Sequence, residues 1–291
     1  MFFKAKRPKI GLALGSGGTR GLAHIGIIKV LEQHNIPIDY IAGSSIGAVV
    51  GGFYAAKKNI AEIEQMAVNT KWKQYFSMFF DPSFGQGLIK GDKIAKFMDD
   101  YLENVNFHNL KIPFKAVATN VKDGETVIID KGRAVDAIRV SLSIPILFKP
   151  INIDNQLLVD GGLSMPVPVD VVRKMGADVV IAVNLNTDCL NYSEEDKIGF
   201  YKIANNSVVI LEYHLARENC KTANIVIEPK VGCITWKKFL NGKAGEEGIA
   251  IGEQAAQAAL PHLKKLALKP QHPLLNRLAN FFQNLKKSLF K

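Results

Sequence analysis

Ile38-Asp39-Tyr40-Ile41-Ala42-Gly43-Ser44-Ser45-Ile46-Gly47-Ala48-Val49-Val50-Gly51-Gly52-Phe53-Tyr54-Ala55-Ala56 passes from a short apolar run, through a G-x-S-x-G pentapeptide, into a stretch of small residues. That order predicts a strand over 38–42, a sharp turn, and a helix over 46–56. It is the context of a nucleophile elbow, in which the turn holds Ser45 in a tight backbone geometry and points its hydroxyl out of the fold. Gly43 and Gly47 suit places where strand and helix come too close for a Cβ. The helix N-terminus then faces any oxyanion that forms on a bound ester. The pentapeptide alone equally suits an ordinary strand-to-helix turn with a capping serine, because Gly and Ser are common in turns.

Two other stretches tip the balance. Upstream, Lys9 to Leu14 reads as a buried strand, Gly15-Ser16-Gly17-Gly18-Thr19-Arg20-Gly21 as a glycine-rich loop, and Leu22 to Gln33 as a helix. Such a loop points several backbone N–H groups at one place, where they can hold a phosphate or the oxyanion of acyl transfer. Downstream, the apolar run Leu157-Leu158-Val159 leads into Asp160-Gly161-Gly162. An Asp at a strand end, followed by two glycines, can come close to another backbone and so reach a serine. It also suits a turn residue that caps the glycines.

Together these stretches resemble the patatin-like phospholipase family, from about Lys9 to about Pro168, and the likeness is to its small bacterial members built on the catalytic domain. The resemblance rests on the loop Gly17-Gly18-Thr19-Arg20-Gly21, the elbow Gly43 to Gly47, the triplet Asp160-Gly161-Gly162, and the serine-rich segment Val140 to Phe148 that precedes it. In the loop, the register ending at Gly21 begins with Ser16 where the family often has glycine. The resemblance implies a serine lipid acyl hydrolase of phospholipase A or lysophospholipase type. In it Ser45 is the nucleophile, Asp160 the base, and the glycine loop the oxyanion hole, with no metal and no cofactor. The six histidines carry no context that marks one as catalytic, in keeping with a Ser–Asp dyad. A carboxylate with its reference pKa of about 3.9 is a poor base. Partial burial raises that value, and oxyanion donors lower the demand on the base. Arg20 suits bracing of the loop better than phosphate binding, and His24, one turn into the next helix, suits a packed, hydrogen-bonded role. An acyltransferase or thioesterase on the same dyad, and a catalytically silent regulatory protein, are the alternatives.

The rest of the 291 residues reads as alternating strands and helices, which predicts a three-layer α/β/α sandwich with a mainly parallel central sheet. The expected order is helices over 60–69 and 92–102, strands over 114–119 and 126–129, and a helix over 134–142. A hairpin over 151–159, a helix over 169–174, a strand over 178–184, a helix over 195–217, a strand over 225–228 and a helix over 246–266 follow. The glycine loop and Ser45 then lie at carboxyl ends of strands, where open α/β sheets place their sites. The loop, with Asp39 downstream, also mimics a dinucleotide site, but Arg20 at the third-glycine place and the lack of a G-x-x-x-x-G-K-[ST] motif argue against nucleotide binding.

Two domains are expected: the catalytic unit over 9–268 and a basic amphipathic helix over 269–291. Net charge is +10, and residues 254–291 hold seven basic residues and no acidic ones. Over 273–290 the apolar residues Leu274, Leu275, Leu278, Phe281, Phe282, Leu285 and Leu289 alternate with polar and cationic ones at helical spacing. That pattern fits an anionic membrane surface, or packing on the catalytic unit or a second subunit, better than nucleic acid. Residues 72–84 are dense in aromatics and suit a core-covering loop, or a lid or acyl-chain pocket beside Ser45. No apolar run approaches the ~20 residues of a membrane span, and the charged N-terminal stretch is not a signal peptide. Cys189, Cys220 and Cys233 show no metal or disulfide spacing and read as buried, reduced thiols. A cytoplasmic protein, peripheral on the membrane, with a lipid or lysophospholipid substrate is the resulting expectation.

Overall fold

A computed structural model describes residues 7–68, 89–188, 199–234, 238 and 244–267. The aromatic stretch 72–84, the expected helix start at 195–198, Cys189 and the tail 269–291 lie outside the described residues. In chain order the elements are β1 (Ile10–Leu14), a 3-10 turn (Gly18–Gly21), α1 (Leu22–Gln33), β2 (Tyr40–Ser44), α2 (Ile46–Lys57), α3 (Ile60–Val68) and α4 (Asp92–Leu102). Then come β3 (Phe114–Asn120), β4 (Thr126–Ile129), α5 (Ala134–Ser141), β5 (Ile151–Ile153), β6 (Gln156–Asp160) and a 3-10 turn (Gly161–Leu163). The series ends with α6 (Val169–Lys174), β7 (Val179–Val183), α7 (Phe200–Cys220), β8 (Ile225–Ile227) and α8 (Ala244–Ala267).

These elements form a three-layer α/β/α sandwich on one mixed sheet. Hydrogen-bonded neighbours run β5-β6-β3-β2-β1-β7-β8, with β4 also on β3. The body of the sheet, β3-β2-β1-β7-β8, is parallel, while β4, β5 and β6 pair antiparallel. The period-2 alternation of a strand separates the two faces. On one face Ile10, Leu12, Leu14, Ile41, Ile181 and Val183 join the large core under α1, α2 and α8. On the other, the small residues Ala13, Ala42 and Ala182 join Val117 and Val180 beneath α6 and α7. Small side chains on that face let α6 sit close. Full burial of each large aliphatic side chain contributes roughly 1.5–3 kcal/mol, so the larger core dominates stability.

The register brings the site together. β4 covers Ala116 to Thr119 of β3. β2 pairs with Phe114 to Val117, and β6 with Ala118 to Asn120. Both overlap β4, so β2 and β6 must share the opposite edge of β3. There they meet end to end: Ser44 opposes Val117, and Asp160 opposes Ala118. The residue after β2 and the last residue of β6 are therefore neighbours in space, though 115 apart in sequence.

Most boundaries fall where the hydrophobic pattern puts them. Two differ: α7 runs to Cys220 rather than 217, and β2 spans 40–44 rather than 38–42, because its parallel partners hold it, β1 as far as Gly43 and β3 as far as Ser44. Cys220 is buried as expected, whereas Cys233 is exposed, which corrects the reading of that thiol as buried. No helix among the described residues is long and apolar enough to cross a membrane.

Candidate active site

Ser45 sits at the junction of β2 and α2, with φ 55° and ψ −124°. A non-glycine residue in that region of φ, ψ space is strained by about 1–3 kcal/mol and persists only where its surroundings dictate it. Here they do. The Ser45 N–H donates to the buried Ser141 Oγ at 2.9 Å, and the Ser45 carbonyl accepts the Ala48 N–H at 2.9 Å, opening α2. The two elbow glycines have no room for a side chain: a Cβ on Gly43 would lie 2.4 Å from the Gly47 carbonyl oxygen, and one on Gly47 would lie 2.2 Å from that of Leu14. Gly161 is equally confined, since a Cβ there would lie 2.3 Å from the Val117 carbonyl oxygen.

Ser45 Oγ donates to Asp160 Oδ2 at 2.5 Å, and both residues are only 3% exposed. The other carboxylate oxygen, Oδ1, accepts the Gly162 N–H at 2.7 Å. Asp160 thus caps its own turn and faces Ser45 at the same time. Its backbone is tied on both sides: its N–H donates to the Ser143 carbonyl at 3.0 Å, and its carbonyl accepts from Thr119 Oγ1 at 2.8 Å. Burial and the nearby negative charge of Glu212 push the Asp160 carboxyl up to about 7, against the opposing pull of the Ser45 and Gly162 hydrogen bonds.

The glycine loop Gly15–Gly21 lies at the carboxyl end of β1, beside the elbow. The Gly15 N–H is held by the Val183 carbonyl, the Ser16 N–H by that of Pro166, and the Arg20 N–H by that of Gly17. Gly18 adopts φ +57° with nothing near its would-be Cβ, so the loop turns there, in reach of solvent. Gly21 abuts Ile46 at the start of α2, which fastens the loop against the elbow. Thr19 is buried and reaches the Ile234 carbonyl at 3.5 Å. Arg20 turns back on the loop: Nε donates to the Gly17 carbonyl, one terminal nitrogen to the Leu185 carbonyl, and the other to Asn186 Oδ1, each at 3.0 Å. With all its donor nitrogens engaged on protein, it braces the loop.

His24 lies fully buried behind this loop, its Nε2 2.8 Å from the Gly15 carbonyl oxygen. Burial drives its pKa down to about 4, so near neutral pH the ring is uncharged, and its Nε2 is engaged with the Gly15 carbonyl, holding the loop. Asp39 lies at the opposite, amino-terminal end of β2, paired with Arg7 and Lys9 and capping the Ile10 N–H. A ribose-binding acid would stand at the carboxyl end, which removes the dinucleotide reading. Among the described residues no group of three or more His, Cys, Asp or Glu side chains could hold a metal ion.

Several contributors carry no motif. Asn186, 1% exposed just beyond β7, donates from Nδ2 to Ser16 Oγ at 3.2 Å and accepts from Arg20, so it couples two ends of the loop. Ser141 and Ser143, in the serine-rich segment, position Ser45 and Asp160 respectively. Glu212 enters from α7, with Oε2 3.4 Å from Ser16 Oγ. A signal for it exists in the sequence: Glu212, Ala216 and Cys220 recur every four residues, and Ala216 and Cys220 are buried. A carboxylate thus lies on the core-facing stripe of a helix.

The family described as patatin-like phospholipase matches residues 12–173. An uncharacterized NTE family protein of Mycobacterium bovis is 40% identical over 180 residues, 62% of this chain and 49% of that protein. A lysophospholipase NTE1 of Candida albicans is 32% identical over 191 residues, 61% of this chain and 13% of that protein. The chain therefore spans about half the length of the mycobacterial relative and a small part of the yeast one. Among solved structures, VipD from Legionella pneumophila aligns with a TM-score of 0.48 at 10% identity, over 87% of this chain and 67% of that one.

Proposed function

The chain belongs to the patatin-like phospholipase family, and on that premise we propose that it is a serine lipid acyl hydrolase that cleaves carboxylic esters of phospholipids or lysophospholipids. The observation that carries this reading is the buried 2.5 Å hydrogen bond from Ser45 Oγ to Asp160 Oδ2 at a strained elbow. Asp160 takes the proton of the Ser45 hydroxyl as Oγ attacks the ester carbonyl. The oxyanion is held by loop N–H groups. Those of Gly15, Ser16 and Arg20 bond protein carbonyls, so the donors are drawn from the other residues of the loop, Gly17, Gly18, Thr19 and Gly21, helped by the N-terminus of α2. Asp160 returns the proton to the departing alcohol, leaving an acyl-enzyme on Ser45. Water then attacks the acyl carbonyl, gives its proton to Asp160, and the fatty acid leaves as Ser45 recovers its hydrogen. A carboxyl whose pKa lies near 7 supports this role, because a base works best when its pKa is close to the operating pH.

An anionic membrane is the surface we assign to this reaction, on the cationic and apolar spacing of residues 273–290 in the sequence. The test is fatty-acid release from phospholipid and lysophospholipid vesicles by wild type, Ser45→Ala and Asp160→Asn. Release that falls to background in both variants supports the dyad. No release from any lipid by wild type, or full activity in Ser45→Ala, refutes the reading.

A further inference from the structure

We propose that Glu212 is a positioning residue of the site, which sets the charge state of Asp160 from across Gly162. This deepens the proposed function and rests on Asp160 being its base. The geometry is specific. The point where a Gly162 Cβ would stand lies 3.0 Å from Asp160 Oδ1 and 2.9 Å from Glu212 Oε1. The two carboxylates therefore flank one vacant methyl position and are no more than roughly 6 Å apart, inside the ~4–6 Å range over which charges shift each other's ionisation. Glycine at 162 leaves room for the two carboxylates to approach in a buried setting, where charges interact more strongly than in water.

Glu212 is delivered there by the fold. Ala216 and Cys220, one and two turns on, pack into the core beneath α7, and Asn219 Oδ1 accepts the Val167 N–H at 3.2 Å. The helix is thereby anchored beside the turn that carries Asp160. Burial raises the Glu212 carboxyl above the usual carboxylate range, and the Arg20 charge and the hydrogen bond from Ser16 Oγ oppose that rise and favour its charged form. Asp160 has no cation as a direct partner among the described residues. Its contacts are the Ser45 hydroxyl, the Gly162 N–H and, through its backbone, Thr119 and Ser143. The charged group that acts on it is Glu212 on α7, whereas the cations of the neighbouring elements are engaged elsewhere, Arg20 on Gly17, Leu185 and Asn186, and Arg139 of α5 on Ser143 Oγ at 2.9 Å and on the Gly91 and Lys90 carbonyls. Glu212 is the negative one, and its effect is to hold the proton on Asp160 to higher pH.

Glu212→Gln removes that charge and keeps both the shape and an acceptor for Ser16. The experiment is a carbon-13 NMR titration of the full chain labelled at the aspartate carboxyl carbons, with Asp160→Asn identifying the Asp160 signal. The expected result is a titration midpoint about one pH unit lower in Glu212→Gln than in wild type, about a tenfold change in the ionisation equilibrium of Asp160. Glu212→Asp, which keeps the charge, stays closer to wild type. An unmoved midpoint in folded Glu212→Gln overturns the inference, whatever the activity. The pH profile of lipid hydrolysis separates this from the reading it rests on. If the midpoint moves and the acid limb of kcat moves with it, both stand. If the midpoint moves while the acid limb does not, the coupling stands and Asp160 is not the base. A Glu212 that only braced Ser16 would lower kcat without moving either.

Discussion

Replacement of Asp160 by Asn should abolish lipid hydrolysis and at the same time make the protein more stable. The Asp160 carboxyl is raised from 3.8 to about 7 by burial and by Glu212. A carboxyl with a raised folded pKa is one the folded state prefers to keep protonated. Between about pH 4 and 7 the folded chain therefore binds more protons than the unfolded chain, and stability falls as pH rises. Each unit is worth about 1.4 kcal/mol, so above pH 7 the ionised Asp160 costs the fold on the order of 4 kcal/mol. Asn carries no charge to desolvate, its amide oxygen can accept the Gly162 N–H as Asp160 does, and its volume is nearly the same. At pH 8 the variant should melt at least about 5 °C above wild type, since each kcal/mol moves the midpoint by roughly 2–4 °C in a chain of this size. The gap should narrow on acidification, to less than about half by pH 5 and to about 0.6 kcal/mol near pH 4. Differential scanning calorimetry of both proteins from pH 4 to 8 reads this directly. A variant no more stable than wild type at pH 8, or a gap that does not depend on pH, would refute the argument that Asp160 is held ionised at a cost.

The acid limb of kcat should centre near pH 7 and fall about tenfold per unit below it, so that activity at pH 5 is roughly 1% of the plateau; a flat profile down to pH 5 would exclude Asp160 as the base. Arg20→Gln breaks three hydrogen bonds that hold Gly17, Leu185 and Asn186. It should lower kcat by roughly 100-fold, the scale of a lost oxyanion donor, with little change in KM; a rise in KM alone would assign Arg20 to substrate binding. Gly47→Ala forces a methyl to within 2.2 Å of the Leu14 carbonyl oxygen. It should cost about 3 kcal/mol or more in urea unfolding, because β1 and α2 must separate; a variant of wild-type stability would show that the elbow has slack.

The elements that local pattern controls were legible in the chain. Strand β1, helices α1, α2, α4 and α6, and the elbow carry their own signals: apolar period, small residues at a crossing, and a glycine pair where backbones touch. The three motifs name Ser45, Asp160 and the loop around Gly17–Gly21 without reference to structure. Their meeting does not follow from any of these signals. It follows from β2 and β6 sharing one edge of β3, a register fixed by long-range pairing that no local window contains. Glu212 was only half legible, for a related reason: its spacing from Ala216 and Cys220 marks a core-facing stripe, but not what that stripe meets. Its helix was readable, but which face met Gly162 depended on how α7 docked. The sequence by itself determined which residue types stand at each turn and what chemistry they can perform. The tertiary structure alone decided the electrostatics, because a carboxyl reaches a pKa near 7 only when packing removes water from it and places a second carboxylate beside it.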